Sequence, residues 1–527
     1  MRSLVPFFLI SKQESQKAIA YKRGTEEVSD AVYELAVDTL LLFNVAVMPQ
    51  LGVAMRLFIA TLLLAVLSLG LWETARSVSW FHGTANSVAI YDPNSSHLWN
   101  QLHAVLFIRP DVPGTESVPD SLDPPLWYHT DYLLAKPSHE RVLRILDEFL
   151  QTHAERLIQD PVKSAMLQRE LWAVFDWTVE RSRDRVGEPA YDKERQELQT
   201  RLAELLRRLA LTPEQIHALP SNYEQAVASG QFAKEYDPQH RDRPFLPPDL
   251  FDPRGPWIQL STQSAGFGPA PTAPSHAHTF SRSSFLVFLR LPDGRKATFD
   301  YLRTVWDFPQ PWIPRPDNGN PERDQTVENP NLPQFPAGTQ VALVRQMMLF
   351  DSRGNLQGTP ITESVQLRVY RAITGTQGPI SESDLSHASE KSGQDFYEIR
   401  LSRPQLFANK TGGLRAIGLH EREFSVFGFF PADEGARNQR TRLDQYPPIL
   451  ETCFQCHRGA GINSLNSRGR LLKPNWLQHD FPAGASDPEY KWWEAYQDAG
   501  WKQNHYEWGL LNGYWRSSAA TSALAQQ

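Results

Sequence analysis

The sequence predicts an α+β, multidomain chain: an N-terminal helical bundle, an antiparallel β-sandwich, and a C-terminal segment that carries both cysteines. Three observations point there. Apolar residues recur with a 3.6-residue period between about 138 and 230, which is the signature of amphipathic helices. Between 276 and 431 the period falls to two, with no helical stretch between the strands, which favours an antiparallel β domain. A Pro-rich stretch at 237–275 separates the two patterns.

With 527 residues the chain is long enough to bury several hydrophobic cores. It is 41% hydrophobic and 21% charged, with a mean hydropathy of −0.44. The net charge of −7, with no long basic tract, argues against nucleic acid as an electrostatic partner. The 40 prolines cluster rather than spread.

Taken in order, residues 1–54 read as an N-terminal extension that precedes an alternative start at Met55. Residues 55–75 hold the uncharged run LFIATLLLAVLSLGLW (57–72) behind Arg56. That run is short for a membrane span and right for a signal-peptide core or an anchor with its N-terminus inside. It predicts an extracytoplasmic protein of the periplasm or envelope, secreted or membrane-anchored. The stretch 76–236 is expected to be mainly helical. Ser138 opens one helix with Val142, Ile145, Leu146, Phe149 and Leu150 on its apolar stripe. Asp160-Pro161 opens a second, with Leu167, Leu171, Val174 and Phe175. Leu198, Leu202, Leu205 and Leu209 mark a third, and Thr212-Pro213 starts a fourth.

After the 237–275 linker, SFLVFLRL and RKATFDYL read as a hairpin about Pro292-Asp293-Gly294. TQVALVRQMMLF, SVQLRVYRAI, DFYEIRLS and EFSVFGFF complete at least six strands. In SVQLRVYRAI, Val365, Leu367 and Val369 face one way and Gln366 and Arg368 the other. Residues 432–515 hold the cysteines and an aromatic helix, EYKWWEAYQDAGWKQ, and 516–527 are expected to form a disordered tail.

Cys453 and Cys456, the only cysteines of the chain, stand in ETCFQCHRGAG with His457 directly after them. C-x-x-C-H is the spacing of c-type haem attachment: two thiols two residues apart reach two vinyl groups, and the next residue lies under the iron. At this motif the chain resembles the c-type cytochromes. The resemblance covers the motif and its Arg458-Gly459 continuation and nothing else. It implies one covalent haem c, with Cys453 and Cys456 as thioethers and His457 as axial iron ligand. Residues 432–515 are then the haem-binding segment. Other readings stay open. A redox dithiol wants its C-x-x-C at a helix N-terminus within a βαβ unit, and His-Arg-Gly-Ala-Gly starts helices poorly. Zinc wants a second ligand pair close by. A disulfide within C-x-x-C closes too small a loop to stabilise much.

No methionine follows the motif, so a downstream Met ligand is absent; Met166, Met347 and Met348 all precede it. On a strand, alternation sends one of Met347 and Met348 inward and the other outward. Among histidines, His479 is the preferred sixth ligand, with His505 and His420 behind it, and a five-coordinate iron is the alternative. Arg437, Arg440, Arg442, Arg458, Arg468, Arg470 and Lys473 are candidate partners for haem propionates. Trp476, Trp492 and Trp493 are candidates for the porphyrin face. His276-Ala-His278 places two imidazoles on one side of a strand and reads as a loop feature for want of a third ligand. No hydrolase, zincin, P-loop or dinucleotide motif appears, and no catalytic residue is assigned. The expected function is one-electron transfer in an extracytoplasmic mono-haem protein with a redox partner protein. The alternatives are a peroxidase-like or small-ligand-binding haem enzyme, and an envelope binding or scaffold protein with an accessory haem.

Overall fold

The computed structural model describes residues 89–108, 122, 132–183, 191–260, 273, 276–277, 280–314, 326–375, 380–423, 446–466 and 499–525. All lie in a compact unit spanning Ala85–Gln527. The apolar run at 57–72 falls outside them. Among the described residues no helix is long and apolar enough to cross a membrane.

The protein mixes helices with an antiparallel sheet, as the two periodicities imply. The helices are α1 (Leu98–Phe107), α2 (Ser138–Gln151), α3 (Pro161–Arg183), α4 (Asp192–Arg208), α5 (Pro213–His217) and α6 (Asn222–Ser229). In α2 the expected stripe is buried at Val142, Ile145, Leu146 and Phe149. Ser138 is its first residue, and no side chain caps it. Helix α3 begins where Asp160-Pro161 predicts, with the Asp160 carboxylate accepting from the Val162 amide at 2.9 Å. Thr212 and Gln215 close a reciprocal capping box on α5. Every residue of α3 from Ser164 to Val179 is buried, polar ones included, so this helix runs through the protein interior.

The described strands of the main sheet are β1 (Ile258–Leu260), β2 (Ser283–Arg290), β5 (Thr339–Phe350), β6 (Leu356–Tyr370), β7 (Gln394–Leu401) and β8 (Leu414–Ala416). They pair antiparallel in that order, and β3 (Trp312–Pro314) with β4 (Thr326–Glu328) makes a separate two-stranded ribbon. These strands form one six-stranded sheet, not the two facing sheets of a sandwich. Alternation along a strand shows that a face is covered and leaves open whether a sheet or a helix covers it. Here helices cover one face: Leu286, Phe288, Ala342, Val344, Val365, Leu367, Val369, Tyr397 and Ile399 share a core with α2, α3 and α4. The 237–275 linker joins that core too, burying Phe245, Leu246, Leu250 and Trp257.

Three further expectations change. RKATFDYL is not a strand but part of α7 (Gly294–Trp306), packed on the opposite sheet face through Tyr301, Leu302 and Val305. Ala297, Phe299 and Tyr301 satisfy a period of two over a short window, whereas Tyr301, Leu302 and Val305 fit a helix over the longer one. Met347 and Met348 are both buried in the helix-side core, because a register shift between Gln346 and Met348 breaks the alternation. The final helix α12 (Tyr506–Ala525) continues through 516–525, the stretch expected to be disordered; SSAATSALA is rich in alanine, the strongest helix former. α8 (Leu385–Ser392), α9 (Arg403–Phe407), α10 (Ile449–His457) and α11 (Ile462–Asn466) complete the helices that bear on the site. All of EFSVFGFF after Glu423, and most of EYKWWEAYQDAGWKQ, lie outside the described residues.

One glycine fixes a close approach. Gly412 has φ +62°, and a Cβ there would stand 2.0 Å from the Asn222 carbonyl oxygen. Asn222 in turn bonds both the amide and the carbonyl of Thr362 in β6. Gly412→Ala is therefore expected to cost roughly 2–4 kcal/mol, from left-handed backbone strain plus overpacking. A urea midpoint within experimental error of the parent would refute this.

Candidate functional site

The face of the sheet turned away from α2, α3 and α4 is polar where β6 meets β7. Ser364, Gln366, Arg368 and Tyr370 lie opposite Arg400, Glu398, Phe396 and Gln394. The motif helix α10 lies on this floor. Ile449, Leu450 and Phe454 are its buried residues, and Leu450 and Phe454 join Ile380, Leu385 and Ala388 in a small cluster against Phe396. Its other stripe carries the motif: Cys453 lies three and four residues before Cys456 and His457, so all three share a side of the helix. Gln366 reaches the Cys453 sulfur at 3.7 Å, and Gln394 donates to the carbonyls of His457 and Gly459 at 3.0 and 3.2 Å. Neither residue stands out in the sequence. Two glutamines on neighbouring strands thus hold the end of α10.

His457 is fixed more tightly still. Its Nδ1 stands 2.9 Å from the Ser464 carbonyl oxygen in α11. A carbonyl can only accept, so Nδ1 carries the proton and Nε2 keeps its lone pair. Burial holds His457 well below the ordinary histidine range, and the Arg368 guanidinium and His276 push the same way. The ring is therefore neutral at pH 7, oriented by its far nitrogen, as a metal-ligating histidine needs. Arg368 is buried and donates to the Tyr370 hydroxyl at 2.8 Å and to the Ser464 carbonyl at 3.3 Å.

The cysteines are half-buried and not joined in a disulfide. Burial pushes the Cys453 thiol well above its usual value; Glu398 adds to this and Arg400 opposes it. A dithiol exchanger needs the reverse, a thiolate favoured at a helix N-terminus. Here the pair occupies the last turns of a nine-residue helix, at its negative end. Zinc finds no third ligand: among the described residues no group of three or more His, Cys, Asp or Glu side chains is placed to hold a metal ion. An iron already held by a porphyrin takes only one or two protein ligands, so that observation does not bear on haem.

Of the sixth-ligand candidates, His479 lies outside the described residues. His420 is exposed, with Glu382 at 3.6 Å. His505 holds its Nδ1 2.8 Å from the Trp501 carbonyl. Met166, Met347 and Met348 are in the helix-side core. Arg458 caps the end of α10; Arg437, Arg440, Arg442, Arg468, Arg470 and Lys473 lie outside the described residues, as do Trp476, Trp492, Trp493 and His278. His276 is in a helical turn rather than a strand: the Phe280 amide donates to its carbonyl at 2.8 Å. Its ring centre is 6.2 Å from that of His457, with the planes 23° apart. Burial lowers His276 to about 3, helped by Arg368 and Arg345.

Comparison with family models, curated proteins and solved structures gives no match. The functional reading rests on the site itself.

Proposed function

We propose that the chain is an extracytoplasmic mono-haem protein of the c type that transfers one electron at a time. The observation that carries this reading is the arrangement of the motif helix: two cysteines at i and i+3 that are not joined in a disulfide, and an imidazole at i+4 whose Nδ1 is committed to the Ser464 carbonyl. When bound, the haem would supply reversible one-electron ferric/ferrous chemistry. Cys453 and Cys456 would hold it covalently and His457 would offer Nε2 to the iron. Arg368 makes its hydrogen bonds, among the described residues, to neutral oxygens, and so keeps its charge for an anionic group such as a propionate. A redox partner protein would complete the cycle.

The test is the intact mass of the full chain, produced in a host with haem-maturation machinery. One covalent haem increment is expected, and it should vanish in the Cys453→Ser/Cys456→Ser variant. An unmodified parent mass would refute the reading.

A further inference from the structure

We infer that His276 is the second axial ligand of the iron, opposite His457. This rests on the haem reading above and deepens it, because the second ligand decides whether the iron is closed or open to outside molecules.

The argument starts from spacing. Two imidazoles bound through nitrogen on opposite sides of one metal ion, at metal–nitrogen distances of about 2.0–2.1 Å, place their ring centres about 6.3 Å apart when in line. The His276 and His457 ring centres are 6.2 Å apart, and their planes differ by 23°. The two residues are 181 positions apart in sequence, so the approach is made by the fold and not by local geometry.

The His457 ring and the turn that carries His276 are each fixed by the fold. His457 is turned by its bond to Ser464, which leaves Nε2 as its metal-binding nitrogen. His276 stands in a turn closed by two hydrogen bonds, Ala277 to the Ala273 carbonyl at 2.9 Å and Phe280 to the His276 carbonyl at 2.8 Å. Ala277, Phe280 and Phe285 form a buried cluster under that turn, and the Phe285 ring centre is 5.6 Å from the imidazole. A ligand held on such a turn needs little rearrangement to bind.

The surroundings suit a metal carrying an anionic macrocycle. Arg368 and Arg345 both bear electrostatically on His276, and Arg368 also bears on His457. Two imidazoles with the Arg368 guanidinium near them, its bonds among the described residues going to neutral oxygens, form a site with nitrogen donors and cationic charge, whereas the Arg345 charge is met by Glu363. A ligand combining a metal ion with carboxylates satisfies both features at once.

Two histidine ligands make the iron six-coordinate and low-spin, so the site would pass electrons and refuse small molecules. The test uses the full chain carrying its haem, with mass, optical and electron paramagnetic resonance spectra read on the parent, His276→Ala, His276→Met and His505→Ala. The parent is expected to carry haem and be low-spin. His276→Ala should keep the haem mass, turn high-spin, bind carbon monoxide readily, and return to low-spin on adding imidazole. His505→Ala should match the parent. If His276→Ala does not fold, His276→Met decides: a thioether ligand should raise the reduction potential, and an unchanged spectrum and potential would overturn the assignment. A parent that carries haem but is high-spin, or a His276→Ala variant that stays low-spin without imidazole, overturns His276 alone. A parent without covalent haem overturns the haem reading and this assignment together.

Discussion

Replacing Glu363 by Gln is expected to lower stability by about 3–5 kcal/mol, because it removes the one buried carboxylate that two guanidiniums share. Glu363 belongs to β6 but is skipped in the pairing with β5, which passes from Arg345–Ser364 to Gln346–Thr362. That bulge frees its side chain to turn away from the ladder. One oxygen meets Arg169 of α3 at 2.9 Å; the other meets Arg345 at 2.6 Å and the Ser283 hydroxyl at 2.6 Å. Glu363 and Arg169 are fully buried, and Arg345 is nearly so. Glutamine keeps the shape but removes the charge, so both cations lose this carboxylate in a medium that penalises unmatched charge. Urea unfolding monitored by tryptophan fluorescence would show the midpoint drop. A loss below about 1 kcal/mol would mean that water reaches the network and screens it. An apolar replacement of the whole set, Arg169→Met with Glu363→Leu and Arg345→Met, should recover much of the loss, since a buried ion pair is costly mainly when broken. Arg345 also lies over the Phe280 ring at 3.9 Å, beneath the His276 turn. Glu363→Gln should therefore disturb the site as well as the core.

The helices at 138–229 were legible because burial on one side leaves a periodic stripe, which α2 and α4 follow closely, while α5 was marked by its Thr212-Pro213 start. Helix α3 was found from its Asp160-Pro161 start and from Leu167, Leu171, Val174 and Phe175 on one face, although its other faces are buried too. Helix α1 gave no signal. Nine of its ten residues are buried, so it lacks a polar face, and the side chain that anchors it, Asn100, bonds the backbone of Ile90, Tyr91, Asp92 and Asn94. The strands were legible from alternation, but the partner of each face was not. Gln366 and Arg368 could only be placed on the face opposite Val365, Leu367 and Val369; they are buried because α10 and α11 lie on them. The same limit applies at the site. Cys453, Cys456 and His457 carry their spacing within five residues, so the sequence shows them together. Gln394, Ser464, Arg368 and His276 arrive from separate segments, and each alone resembles an ordinary polar residue. His276 did have a signal in His-Ala-His, but strand spacing was the wrong frame for a residue in a helical turn.

Arg403→Met is the second large loss expected, again about 3–5 kcal/mol at neutral pH, and its pH dependence identifies the cause. Arg403, Glu170 and His103 are all buried between α1, α3 and α9. The Arg403 guanidinium meets one oxygen of Glu170 at 2.5 Å, and His103 Nδ1 meets the other at 2.9 Å. Burial by itself would raise the Glu170 carboxyl, but Arg403 and then His103 outweigh it and hold the group below the usual carboxylate range. Burial lowers His103, against the pull of Glu170, so the ring is neutral in the folded protein. Both groups are therefore depressed on folding. Each contributes stability that is in full force above its unfolded value, about 6.5 for the histidine and about 4.3 for the glutamate, and that is lost as pH falls toward the folded value. The parent should hold steady above about pH 6.5 and weaken in acid. Without Arg403 the largest lowering influence on Glu170 disappears and burial pushes its carboxyl upward, so the folded variant gains by taking up a proton at Glu170 or His103. The deficit of Arg403→Met relative to the parent should then shrink as pH is lowered from 7 to 5. A deficit that stays constant over that range would mean that lost packing of the arginine against Phe107, whose ring centre is 5.4 Å from the guanidinium, outweighs the lost charge.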